Sequence, residues 1–176
     1  MHSGDQRIVD LLQSLDRLPG PYHLEFPDGF DYPLARSRAI QLRDRLSKGF
    51  EGRVLLDDGV QDASYCFEVR IPPQVAEAHE WIWVRLSNYG SLAVITTPRS
   101  DGHGDVDGAV ADGALSASDR RRIESALEDL GYELVPLRLL RRIYDGVTPL
   151  ADEIAGAVVG YGHPGATWWT RFFDYL

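Results

Sequence analysis

Apolar positions near the start of the chain recur at helical spacing. Ile8, Leu11, Leu12, Leu15 and Leu18 form one stripe, and Pro19-Gly20-Pro21 ends it sharply. The run Tyr22 to Phe26 reads as a short strand before the turn-prone Pro27-Asp28-Gly29. A second helix follows, with Ala35, Ala39, Leu42, Leu46 and Phe50 on one face and arginines on the other. The period then changes to two. After a short candidate strand at Val54 to Leu56, Tyr65, Phe67, Val69 and Ile71 alternate with Cys66, Glu68 and Arg70. Trp81 to Asn88 and Ser91 to Thr97 form two more strands, joined through Tyr89-Gly90 as a hairpin.

Residues 99–114 are rich in Gly and Asp and nearly devoid of large apolar side chains, which predicts a flexible surface loop. Ser118 then reads as the N-cap of a helix carrying Ile123, Ala126, Leu127 and Leu130, with Gly131 at its stop. Tyr132 to Val135 returns to the sheet, and Leu137 to Tyr144 suits a short helix. Thr148-Pro149 opens a helix through Val159, and Thr167 caps a last aromatic one. The pattern predicts an α+β fold: an antiparallel sheet of three to five strands packed against helices. With 176 residues, a single domain over 1–176 is expected.

Composition narrows the function. The net charge of -9 argues against nucleic-acid binding, although Arg120-Arg121-Arg122 and Arg138, Arg141, Arg142 are local basic clusters. A basic protein partner suits the acidic balance through electrostatic steering. No apolar run is long enough to span a bilayer, and the N-terminal residues lack a signal peptide's apolar stretch. Cys66 is the sole cysteine, so no internal disulfide forms. A cytoplasmic setting is expected.

Candidate chemistry is sparse. Gly160-Tyr161-Gly162-His163-Pro164-Gly165 matches the G-x-G-x-x-G pattern, but only eleven residues follow it, too few for the βαβ unit a dinucleotide needs. Asp101 to Gly108 resembles a calcium loop. Aligned on its glycine, it places His103 at the first ligand position and Ala114 where a bidentate glutamate belongs. The five histidines lack zinc-site spacing, and His79-Glu80 and His23-x-Glu25 are the nearest approach to acid–base pairs. Catalytic residues, metal ligands and cofactors are therefore expected to be none.

Two surfaces carry more information. With Ile82, Val84 and Leu86 in the core, Trp81, Trp83 and Arg85 share the opposite face with Cys66, Glu68 and Arg70. The layered logic of domains favours a helix over that face. Left open, it would anchor a partner or line a ligand pocket, because Trp and Arg dominate binding hot spots. In the C-terminal segment, helical spacing puts Trp169, Phe172, Phe173 and Leu176 on a docking face, and Trp168, Arg171 and Tyr175 on a contact face.

The stretch Ala126 to Pro136, Tyr144-Asp145-Gly146, and Trp168-Trp169-x-Arg171-Phe172-Phe173-Asp174-Tyr175 resembles patterns in small uncharacterised bacterial proteins. Some of these are similar to immunity proteins of polymorphic toxin systems. The resemblance covers the C-terminal third and implies a protein that binds and neutralises a cognate toxin without catalysis. The expected function is a non-enzymatic protein-binding module. The alternative is a small-molecule-binding protein or unrecognised enzyme using the Trp81/Trp83 face.

Overall fold

The computed structural model describes residues 3–19, 25–59, 67–150 and 165–174. Its centre is a five-stranded sheet in the order β1-β2-β3-β4-β5, formed by Leu55–Asp57, Phe67–Ile71, Ile82–Leu86, Leu92–Thr96 and Glu133–Leu134. The first four strands make the antiparallel meander that the alternation predicts. The fifth pairs parallel to β4, so the α+β fold that the pattern predicts has a mixed, mostly antiparallel sheet. Parallel pairing follows from the connection: a helical crossover separates β4 from β5, so the chain returns in its original direction.

The β3–β4 turn shows how tightly local sequence is coupled to packing. Gly90 and Ser91 both have positive φ, the mirror-image turn whose twist matches a hairpin. A side chain at Gly90 would also collide with Leu15 of the first helix.

Helices cover both sheet faces, but unequally. Helices α1 and α2 span Ser3–Asp16 and Tyr32–Gly49; α3 and α4 span Val106–Ala111 and Ala117–Asp129; α5 and α6 span Leu137–Leu140 and Trp168–Phe173. One face of the sheet, carrying Phe67, Val69, Ile71, Ile82, Val84, Leu86 and Ile95, packs against α2, α3 and α4. Among the described residues, the apolar cluster on the other face lies toward β4 and β5, where Leu92, Val94 and Val135 meet α1, α5 and α6. Strand β4 is thus covered on both sides and reads as the unbroken apolar run Leu92-Ala93-Val94-Ile95. Strand β3 is covered fully on one side only and alternates.

Several local expectations shift. The stretch 99–114 is not a plain loop: it forms a 3-10 turn at Ser100–Gly102 and then α3, capped by the Asp105 side chain accepting from the Gly108 N–H. Arginines stabilise it from outside, with Arg120 on Asp107 and Arg138 on Asp105 at 3.1 Å. Those long-range pairs are invisible in a local window. Helix α4 is capped by Ser116, not Ser118, because Ser116 has the extended backbone that lets its hydroxyl accept from the Asp119 N–H. Glu25 and Phe26 are not in a strand. The rest of that candidate strand, the body of the helix after Thr148-Pro149, Gly160 to Pro164, Cys66 and Tyr175 lie outside the described residues.

The larger correction concerns α6. Thr167 caps it as expected, reciprocally with Thr170. Trp168 and Arg171, placed by the pattern on an exposed contact face, are instead 4% and 1% exposed. The reason is Asp16 at the end of α1, itself 3% exposed. Its carboxylate accepts from Arg171 Nε at 2.6 Å and from the Val147 N–H at 2.8 Å. The Tyr144 hydroxyl lies 2.9 and 2.8 Å from its two oxygens. Arg171 also stacks 4.5 Å over the Tyr89 ring, and Gly146 leaves the space that Asp16 occupies.

Removing one member of a buried ion pair strands the other charge, so Arg171→Ala should lower unfolding free energy by about 3–5 kcal/mol, read from the urea midpoint. Burial raises the pKa of the Tyr89, Tyr132 and Tyr144 hydroxyls above the ordinary tyrosine value. The folded state therefore holds these protons more tightly than the unfolded chain, in which tyrosine titrates near about 10. Their contribution to stability is complete below that pH and is lost as pH rises through the folded values. The urea midpoint should fall above roughly pH 10, and less steeply in Tyr144→Phe.

Candidate functional site

Where α6 stops, the second face of the sheet opens. Residues directly opposite in register share a face, so Asp57, Glu68 and Arg85 form one row across β1, β2 and β3. Leu55, Arg70, Trp83 and Thr96 form the next row, reaching β4. The alternation of β2 and β3 therefore brings Glu68, Arg70, Trp83 and Arg85 together, with Trp81 just before β3. These five line one open cleft of about 390 Å³.

The charged members hold one another. Glu68, only 9% exposed, accepts from Arg70 Nε at 2.7 Å and from Arg85 Nε at 3.1 Å. Arg70 also reaches Asp57 at 2.7 Å. Arg85 donates onward to the Phe173 carbonyl at 3.1 Å and lies 5.4 Å over the Trp169 ring. Together with the Ser87 hydroxyl on the Phe172 carbonyl at 2.7 Å, it satisfies carbonyls left open at the end of α6. A helix thus lies over the Arg85 end of the face and leaves the Trp81, Trp83 and Arg70 end half-exposed.

A second, larger cleft of about 680 Å³ adjoins the first through Trp83. Trp83 and Trp169 supply its aromatic walls, and Pro98 and Leu137 add apolar surface. Thr96, Thr97, Ser100 and Thr167 bring hydroxyls; Asp101 and Arg141 bring charge. Arg141 is anchored through the carbonyls of His103 at 2.9 Å and Ser100 at 2.6 Å, and stands 3.4 Å from Asp101. The Thr97 hydroxyl is buried and has no hydrogen-bond partner among the described residues.

Of the residues singled out from sequence, Glu68, Arg70, Trp81, Trp83 and Arg85 converge. Trp168 and Arg171 belong to the core on the covered half. Missed from sequence were Trp169, assigned there to a docking face, and the β4–α3 segment from Thr96 to Asp101. Only the pairing of Thr96 with Trp83 and the placement of α6 bring these to the site. Elsewhere, members of both basic clusters hold structural ion pairs: Arg122 with Glu77 and Asp119, Arg138 with Asp5 and Asp105. Among the described residues no group of three or more His, Cys, Asp or Glu is placed to hold a metal ion. No helix among them is long and apolar enough to cross a membrane. A smaller cleft of about 250 Å³ lies between the start of α2 and the β3–β4 hairpin, but its one guanidinium, Arg38, is fastened to Ser91 and the Leu130 carbonyl.

Glu68 links two arginines and, through Arg85, the end of α6. Replacing it by Ala should cost about 1–3 kcal/mol in a urea titration, because two hydrogen-bonded charges lose their shared acceptor. Trp81→Ala, beside it and outside that network, should change stability by less than about 1 kcal/mol. Set against protein-family models, curated proteins and solved structures, the chain matches none of them, and the chemistry of the site rests on its own residues.

Proposed function

We propose that the chain is a non-enzymatic protein-binding module, immunity-like in action, whose contact surface is the groove centred on Trp83. The observation that carries the reading is the half-open sheet face. Tryptophans stand beside charges already locked to one another, so those charged side chains have little conformational entropy left to lose when a partner covers them. The carboxylate of Glu68 is committed to two arginines, which suits a positioning role and not proton transfer. The net charge of -9 favours a basic partner by long-range steering.

A second reading is supported by the size of the larger cleft. About 680 Å³ falls within the roughly 300–1,000 Å³ that small-molecule sites occupy. On that reading the walls Trp83 and Trp169 enclose a small ligand.

Tagged wild-type chain and the Trp81→Ala/Trp83→Ala double variant, incubated with extract of the native cells, separate the two. The protein-binding reading expects a basic protein retained by the wild type and lost from the folded double variant. It further expects that co-production of the wild-type chain suppresses that protein's toxicity. Equal retention by both chains would remove the groove from the contact, and a small metabolite displaced by the double substitution would favour the second reading.

A further inference from the structure

Resting on the second reading, a small ligand in the larger cleft, we propose that this cleft takes a neutral saccharide. Its pyranose ring packs on Trp83 and Trp169, and its hydroxyls meet the Asp101–Arg141 rim.

The aromatic part is held by two separate elements. Trp83 stands in the cross-strand row between Arg70 and Thr96. Trp169 stacks on Phe173 at 5.5 Å and lies under the Arg85 guanidinium at 5.4 Å. Both indoles are half-buried, so each is held by the domain and still lines the cleft. The face of an indole is electron-rich. The ring C–H groups of a pyranose, polarised by neighbouring oxygens, are its electropositive complement. A sugar ring is also rigid, which keeps the ordering cost of binding low.

The polar part sets the charge and hydrogen-bonding class. Among the described residues Arg141 is the one cation lining this cleft and Asp101 the one anion, 3.4 Å apart. Carbonyls of His103 and Ser100 fix Arg141 further. An anionic ligand would meet Asp101, a cationic one Arg141, and a zwitterion would have to part the two. A neutral diol leaves the pair in place: one hydroxyl donates to the carboxylate and the next accepts from the guanidinium. Thr96, Ser100 and Thr167 add hydroxyls, each able to donate and to accept. The lining is thus mixed in hydrogen-bonding sense, as a saccharide's own hydroxyls are. A peptide strand is disfavoured on separate grounds: strand addition needs an open edge, and at Trp83 β3 is paired on both sides.

The test titrates the full chain with maltotriose, cellotriose and triacetylchitotriose, read by tryptophan fluorescence and calorimetry. Trigalacturonate is the anionic control and L-phenylalanine the zwitterionic one. Saturable binding of at least one neutral trisaccharide is expected, with none of trigalacturonate. Trp83→Ala should weaken it by at least about tenfold, as for loss of a buried aromatic contact. Asp101→Ala should weaken it roughly three- to tenfold. Asp101 is fully exposed, so this variant keeps the fold and decides the matter should Trp83→Ala not fold. No saturable binding of any neutral trisaccharide, equal binding of trigalacturonate, or wild-type affinity in either folded variant would overturn the proposal. L-Phenylalanine bound through Trp83 while every saccharide fails would sink this inference alone. If neither saccharide nor amino acid binds, and no metabolite depends on Trp83, the small-ligand reading falls with it.

Discussion

Asp16 is the point on which the second helical layer turns. Its carboxylate joins the end of α1 to α6 through Arg171, and to the Tyr144–Thr148 turn through the Tyr144 hydroxyl and the Val147 N–H. A lone carboxylate or guanidinium at that depth would cost several kcal/mol in lost hydration. The two charges are tolerated only together and only with their further hydrogen bonds in place. Burial of this pair therefore specifies where α6 sits as much as it stabilises it. The aromatic side chains of α6 then complete the packing, with Trp168 edge-on to Tyr144 and Phe172 edge-on to Tyr89.

That placement decides how much of the sheet is covered. α6 is six residues long, and its terminal carbonyls are met by Ser87 and Arg85 on β3 and the turn beyond it. Among the described residues, the helix reaches as far as Arg85. Toward β1 and β2 the same face is left to Trp81, Trp83 and the Glu68–Arg70–Asp57 pairs. The opening is the remainder after the covered half has been packed, and the same Arg85 that tethers the helix also forms one side of the cleft.

The acidic composition has a related consequence. Within the basic runs at 120–122 and 138–142, Arg120, Arg122, Arg138 and Arg141 are engaged by carboxylates or carbonyls. Arg120, Arg122 and Arg138 fasten α3, α4 and the β4–α3 segment. This is how a Gly- and Asp-rich stretch becomes helical: ion pairs and one cap act together with a short apolar stripe, Val106, Ala109 and Val110, that packs on the core.

Local periodicity was sufficient for much of the fold. The spacing-of-two pattern in Phe67 to Ile71 and Ile82 to Leu86 identified both strands and sorted their side chains onto faces, because the pleat makes that sorting a property of sequence position alone. It thereby assembled Glu68, Arg70, Trp83 and Arg85 before any tertiary information entered. Helices α1, α2 and α4 were equally legible from their apolar stripes. What only the tertiary structure decided is everything that depends on distant partners: the parallel return of β5, the cap at Ser116, and the order within 99–114. Above all, it turned Arg171 inward. On a helical wheel Arg171 belongs to a polar face; in the fold it meets Asp16, 155 residues away. Periodicity reports how a side chain projects from its own element, while burial of a charge is set by the opposite charge that another element delivers.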